Sequence, residues 1–349
     1  MGGGADVILH SHHYNSRIQS TIEGASGVDG KSILRSAAEA VFADLAVTDG
    51  AAAAARYSDL GYGVLAPESD GCVEATSSSF VEGWNAGFPA RTEPVCTLTE
   101  GFLAGAHRAV TGEAVAYREV TCRVTGAARC RFERVAGDPI APLTKHPFEP
   151  RGAPPDENAI TSAVAAMPIH GGGEGLIPMF GVYLARIPAD FYNLACIRFV
   201  EEMRAKGLGR NAVRLLVADA ETAAINTFRA ITASPEWARL AMRESSDKLH
   251  CIVAMSNALG WGSWDVTSHH PGEALQLESR RGYEARGYRE LRGLATEPRC
   301  FMLRGAAAGI MDLMYGTGTV AERLGTFTAV ETECIARGDA HCTFEVRRG

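Results

Sequence analysis

Two stretches of this sequence place thiols and carboxylates where they could hold a metal ion. The first contains Glu119, Cys122, Gly126, Cys130, Phe132 and Glu133; the second contains Glu331, Cys334, Gly338, Cys342, Phe344 and Glu345. Both read E-x2-C-x3-G-x3-C-x-F-E. Upstream of each lies a third cysteine in a shared frame, E-P-x-C-x4-G-x3-G. It is Cys96 before Gly101 and Gly105, and Cys300 before Gly305 and Gly309. Zinc takes about four sulfur, nitrogen or oxygen ligands in a tetrahedron. The candidate quartets are therefore Cys96, Glu119, Cys122 and Cys130, and Cys300, Glu331, Cys334 and Cys342. A closed quartet is structural: it clamps a helix to a hairpin and leaves no position for a substrate. The competing reading is three core cysteines and a surface glutamate in each stretch. Of the nine cysteines, Cys72, Cys196 and Cys251 fall outside the frame and read as small buried apolar residues.

A second constellation is His10, His12 and His13. In an extended segment His10 and His12 face the same side, where imidazoles suit zinc, iron or copper and acid–base work near neutral pH. The bland reading is a polar loop whose histidines cap the next helix, since no carboxylate stands at ligand spacing. Asp190-Phe191-Tyr192-Asn193 occupies the matching place later in the chain and has no histidine. His269 and His270 read as part of a turn before Pro271-Gly272. Tyr62, Trp84, Phe88, Tyr117, Trp261 and Trp264 are candidates for an aromatic-lined pocket, or else ordinary core aromatics. The sequence has no G-x-S-x-G elbow, H-E-x-x-H pair or dinucleotide fingerprint.

The elements that must position these groups repeat in order. A short strand at 6–9 precedes helical patterns at 16–23 and 31–46, the second with Ile33, Leu34, Ala37, Ala38, Val41, Phe42 and Leu45 on one face. Strands are expected at 62–66 and 72–79, turning through Glu68 to Gly71. A helix at 95–110 should carry Cys96, with Gly101 and Gly105 allowing close packing. Strands near 114–122 and 129–135 follow, turning at Gly126. Prolines 139, 142, 147, 150, 154 and 155 mark a linker. The second pass predicts helices at 193–206, 211–230 and 234–258. It adds strands near 261–267 and 273–280, the Cys300 helix, an insertion around Ala321–Gly325 and a last strand pair. Leu259-Gly260-Trp261-Gly262 echoes Leu60-Gly61-Tyr62-Gly63. The reading is a duplicated domain: a first unit at 1–135, a Pro/Gly-rich linker at 136–175 and a second unit at 176–349.

A net charge of −7 over 349 residues gives no reason to expect a nucleic-acid partner. No apolar run reaches the roughly 20 residues of a membrane-spanning helix. The N-terminal residues lack the basic and apolar blocks of a signal peptide, so the expectation is a cytoplasmic protein with no membrane partner.

The shared frame of E-P-x-C, paired glycines, E-x2-C and C-x-F-E resembles the 4-vinyl reductase domain family, over about 58–135 and again over 257–349. The family includes the sensory domain of phenol-responsive transcription activators and proteins linked to bacteriochlorophyll synthesis. The resemblance implies an α/β (α+β) fold, each unit an antiparallel sheet packed with helices, similar to small subunits of vesicle-tethering complexes. It implies a zinc held by three cysteines and one glutamate, and a mostly buried aromatic-ligand pocket beside it. Family members are often dimers, so two fused units would form a pseudo-dimer within one chain, with homodimerisation left open. The tyrosine two before the ligand glutamate lines the pocket in the sensors; here it is Tyr117 in the first unit and Ala329 in the second. The sequence shows no ATPase or DNA-binding output domain.

The function expected is binding of a small hydrophobic or aromatic molecule by a protein with two structural zincs, with Tyr62, Trp84, Tyr117 and Trp261 at the ligand. The alternative is an enzyme acting on such a molecule, with His10, His12 and His13 as catalytic residues and a further catalytic metal.

Overall fold

The structure is a computed structural model that describes residues 7–67, 71–138, 140–149, 158–241 and 248–349. Its opening elements are set by polar caps and apolar stripes. Strand β1 (Val7–Ser11) passes directly into helix α1 (His12–Gly24). Helices α2 (Gly30–Phe42) and α3 (Gly50–Asp59) begin where Asp29 and Asp49 accept from the amides of Ser32 and Ala52, satisfying donors the helix cannot. Strands β2 (Gly63–Pro67) and β3 (Val73–Ser78) pair antiparallel. Ser78 then caps α4 (Ser79–Gly87). Helix α5 (Thr97–Thr111) and the strands β4 (Val115–Thr121) and β5 (Cys130–Ala136) follow.

The same order returns. After α6 (Ala159–Ala165) and β6 (Ile177–Met179) come β7 (Val182–Pro188), α7 (Ala189–Ala205), α8 (Gly209–Ala233), α9 (Pro235–Ala241) and α10 (Lys248–Ala258). Then come β8 (Trp264–His270), β9 (Ala274–Ser279), α11 (Tyr283–Arg292), α12 (Phe301–Tyr315), α13 (Val320–Arg323), β10 (Phe327–Glu333) and β11 (Cys342–Arg348). Two four-stranded antiparallel sheets have the same topology, β2-β3-β5-β4 and β8-β9-β11-β10. The mixed α+β architecture agrees with expectation.

A third sheet joins the two halves. β1 pairs antiparallel with β7, Val7 opposite Pro188 and Ser11 opposite Leu184, and β6 extends it. Helix α1 packs on α8 and α7 packs on α2. Ser11 and Thr227 share a hydroxyl hydrogen bond of 2.6 Å across the junction, and Arg198 donates to Ser36 at 2.7 Å.

Small residues bring the long helices together. A Cβ on Gly101 would lie 2.5 Å from the Ala38 Cβ and the Arg35 carbonyl, and one on Gly305 would lie 2.2 Å from the Val217 carbonyl. Only glycine permits α5 to approach α2, and α12 to approach α8, this closely.

Several expectations need correction. Cys96 caps α5 rather than lying in it. His269 and His270 belong to β8, not to the turn, because β8 runs on until His270 pairs with Ala274. The helix expected at 234–258 is present as α9 and α10, with 242–247 outside the described residues. The turn residues Glu68 to Asp70 also lie outside them. The proline-rich segment does not hang free where it is described. His146 donates to the Glu290 carbonyl at 2.7 Å, Lys145 pairs with Asp190 and Glu290, and the Arg289 guanidinium sits over Phe148.

Candidate metal centres and ligand cavities

Each quartet closes on itself. The ligand atoms of Cys96, Glu119, Cys122 and Cys130 all lie within 4.8 Å of one another, as do those of Cys300, Glu331, Cys334 and Cys342, and every residue is buried. The six cysteines form no disulfide. The Cys96 and Cys130 sulfurs are 3.7 Å apart, Cys130 and Cys122 3.8 Å, and Cys300 and Cys342 3.7 Å. Thiolates about 2.3 Å from a tetrahedral zinc would stand about 3.8 Å apart, so the spacing fits.

Backbone irregularity makes this convergence possible. Residues three apart on a regular strand face opposite sides, so Glu119 and Cys122 should diverge. The ladder shifts register between Glu119 and Thr121, and between Glu331 and Glu333. Such a bulge re-aims the side chains that follow it. After each bulge a tight turn ends in a left-handed glycine, Gly126 at φ 94° and Gly338 at φ 101°. The turn lets the Arg123 amide donate to the Cys130 sulfur, and the Ile335 amide to Cys342, both at 3.4 Å.

One oxygen of each glutamate is already used. Glu119 Oε2 accepts from the Cys96 amide at 2.8 Å, and Glu331 Oε2 from the Cys300 amide at 3.0 Å. The Oε1 atoms are buried without a hydrogen-bond partner. Burial, then the charge on the neighbouring cysteine, pushes Glu119 up to about 8 and Glu331 to about 9. Hydrogen bonds from Cys130 and Cys96 pull the Cys122 thiol down to about 2; Cys300 and Cys342 do the same for Cys334. Without a cation, a buried quartet can carry little more than one negative charge. A divalent cation would compensate the rest. Donor set, spacing and orphaned oxygens all fit such an ion.

Sequence reasoning missed the groups that brace the quartets. Glu100, paired with Arg35 at 3.1 Å, accepts from the Glu119 amide at 2.7 Å. Fully buried Glu284 accepts from the Met302 and Leu303 amides at the start of α12. Neither stands at a recognisable ligand spacing, because each acts through backbone amides.

The histidines are not brought together as a metal site. β1 ends at Ser11, so His12 opens α1 instead of sharing a strand face with His10. His10 is enclosed by Tyr14, Tyr192, Trp261 and Tyr283, with the Trp261 ring stacked 5.3 Å away. Both its ring nitrogens lack partners, and burial pushes it down to about 3. His12 Nδ1 accepts from the Tyr183 amide at 3.1 Å, and its ring lies 4.0 Å from that of His13. Among the described residues, the clusters able to hold a metal contain no histidine.

The four expected ligand aromatics are likewise dispersed. Tyr62 is buried among Phe42, Tyr57, Phe80 and Phe102, and its hydroxyl donates to the Arg186 carbonyl. Trp84 packs on Phe88 beneath the Arg91 guanidinium. Trp261 belongs with His10 and donates to the Leu9 carbonyl. Tyr117 alone of the four lines a cavity of about 270 Å³, enclosed by α3, β2, α5, β4 and β5. Phe102, Leu103, Leu65 and His107 also face it. Nε2 of His107 is buried without a hydrogen-bond partner; the exposed Glu113 carboxylate stands 4.0 Å away, beyond hydrogen-bond reach. Burial holds that imidazole below its usual range. In the second half Tyr315 stands where Thr111 lines this cavity, six residues past the second glycine of the frame. Its hydroxyl is 2.9 Å from His269 Nε2.

The family model of the 4-vinyl reductase domain matches residues 85–135, which include the whole first quartet. Among solved structures, the chain is similar to the phenol-responsive sensory domain of the transcription activator PoxR, determined with phenol. The identity is 17% and the TM-score 0.37, over 54% of this chain and 88% of that one. No curated protein matches the chain.

Proposed function

We propose that this protein binds a small hydrophobic or aromatic molecule bearing a hydroxyl group, in the Tyr117 cavity, and holds a structural zinc in each cysteine–glutamate quartet. The observation that carries the ligand reading is the Nε2 of His107, buried without a hydrogen bond in an apolar cavity beside Tyr117. A buried polar atom without a partner is costly unless a ligand or water satisfies it. An apolar pocket with a few polar anchors is the usual form of a small-molecule site. Helix α5, which Cys96 caps, and strand β4, which carries Glu119, also wall the cavity. A metal clamp at their junction would hold the pocket in shape.

The matching space in the second half holds the Tyr315–His269 pair, which supports one ligand per chain. The division into units at 1–135 and 176–349 with a linker between, and a cytoplasmic location, belong to the same proposal. Titration of the purified chain with phenol, the smallest hydroxylated aromatic, tests the ligand reading. Binding that weakens on Tyr117→Phe and on His107→Leu by about fivefold or more, from the loss of one hydrogen bond, is the expected result. Equal binding by all three proteins would refute the assignment of this cavity.

A further inference from the structure

A second and larger cavity, of about 410 Å³, lies between the halves, where α1, α4, α8 and α13 meet. Arg17 and Arg229 both line it, and its lining includes no acidic residue. Among the described residues neither arginine makes an ion pair with a carboxylate. Arg17 is half-buried, feels the charge of Asp219 and lies over the Phe88 ring. Arg229 is exposed at the rim. His13 also lines the cavity; burial, then the charges of His12, Arg17 and Arg229, push it down to about 3. Two guanidiniums facing one space without a counter-charge repel each other, and an anion between them removes that cost. Guanidinium forks match carboxylate and phosphate oxygens. The rest of the wall, including Phe88, Val320 and Leu324, is apolar.

The cavity has no counterpart in the other half. Aligning Tyr14-Asn15 with Tyr192-Asn193 puts Phe191, Leu194 and Ala195 at the places of His13, Ser16 and Arg17. The close approaches at Gly101 and Gly305 align Ala38 with Ala220, which puts Val47 at the place of Arg229. The rim is closed by α13, an insertion unique to the second half, held by a capping box between Thr319 and Glu322.

We infer that this inter-half cavity is a binding site for an organic anion, a carboxylate or phosphate head on an apolar body, with Arg17 and Arg229 gripping the head. The site is separate from the Tyr117 cavity and stands or falls independently of it. Isothermal titration calorimetry of the full chain with octanoate, its neutral analogue octanamide and inorganic phosphate tests the inference. Octanoate should bind once per chain and at least about tenfold tighter than octanamide. Arg229→Ala, at an exposed position, should weaken octanoate by about tenfold. Ala321→Trp should abolish binding by filling the mouth, and Tyr117→Phe should leave it unchanged. Equal affinities for octanoate and octanamide, or unaltered octanoate binding by Arg229→Ala, would overturn the site. Phosphate binding more tightly than octanoate would overturn the apolar body.

Discussion

Glu119 and Glu331 each use one carboxylate oxygen to hold the amide of a cysteine in their own quartet, leaving the other oxygen directed at the sulfurs. A residue placed this way supports a metal twice, as donor and as positioner. Cys122→Ser and Cys334→Ser should each remove about one metal ion per chain and destabilise the protein, because metal binding and folding are coupled in such sites. Native mass spectrometry reads the count, and two metals retained in both variants would exclude metal binding at the quartets. His10 makes a different residue-scale prediction. Its folded value near 3 lies below the ordinary 6.5, so the folded state binds fewer protons between those limits. The stability this contributes is fully present above about pH 6.5 and is lost as pH falls toward 3. His10→Phe keeps an aromatic ring in the box and removes that dependence. Relative to the variant, the natural protein should lose up to about 1.4 kcal/mol per pH unit through this window. Urea titrations at several pH values check it, and a pH-independent difference would show that His10 does not titrate in this way.

At the scale of elements, two devices build each quartet: a bulged hairpin and a helix that starts beside it. The bulges turn the ligand glutamate and the following cysteine to one side, and the close α2–α5 and α8–α12 contacts place the capping cysteine against them. Gly101→Ala tests the second device. Alanine in a helix is favoured over glycine by about 1 kcal/mol, but here its Cβ would meet the Ala38 Cβ and the Arg35 carbonyl at 2.5 Å. Overpacking of that kind costs about 1–3 kcal/mol, and more against backbone. Net destabilisation is therefore expected in a denaturant titration, for Gly305→Ala as well. A raised midpoint for either variant would mean that the helices are less tightly apposed.

For the whole molecule, the β1–β7 pairing and the crossed packing of α1 on α8 and α7 on α2 make the two halves mutually dependent. Calorimetry should show one cooperative unfolding transition, and chelation of metal should lower it as a unit. Two separable transitions, with only one moved by Cys122→Ser, would show that the halves fold independently. No helix among the described residues is long and apolar enough to cross a membrane.

Much of this was legible in the residues themselves. The repeated E-P-x-C and E-x2-C-x3-G-x3-C-x-F-E frames identified both quartets, because thiols, carboxylates and glycines at fixed spacing are local features of the chain. The order of helices and strands was legible for the same reason: periodicity and capping act within a few turns. Tertiary structure decided what depends on residues far apart. A strand pattern alone sends Glu119 and Cys122 to opposite faces, and only the register slip against β5 reverses that. Tyr62, Trp84, Tyr117 and Trp261 look equivalent as a list of aromatics, yet three are packing residues and one lines a cavity. His107 is an ordinary helix residue until burial strips its ring nitrogen of hydrogen bonds. Arg17 and Arg229 stand 212 positions apart and share a cavity only because β1 pairs with β7 and lays α1 across α8. Contacts of that separation are set by the packing of the two halves, which no local pattern encodes.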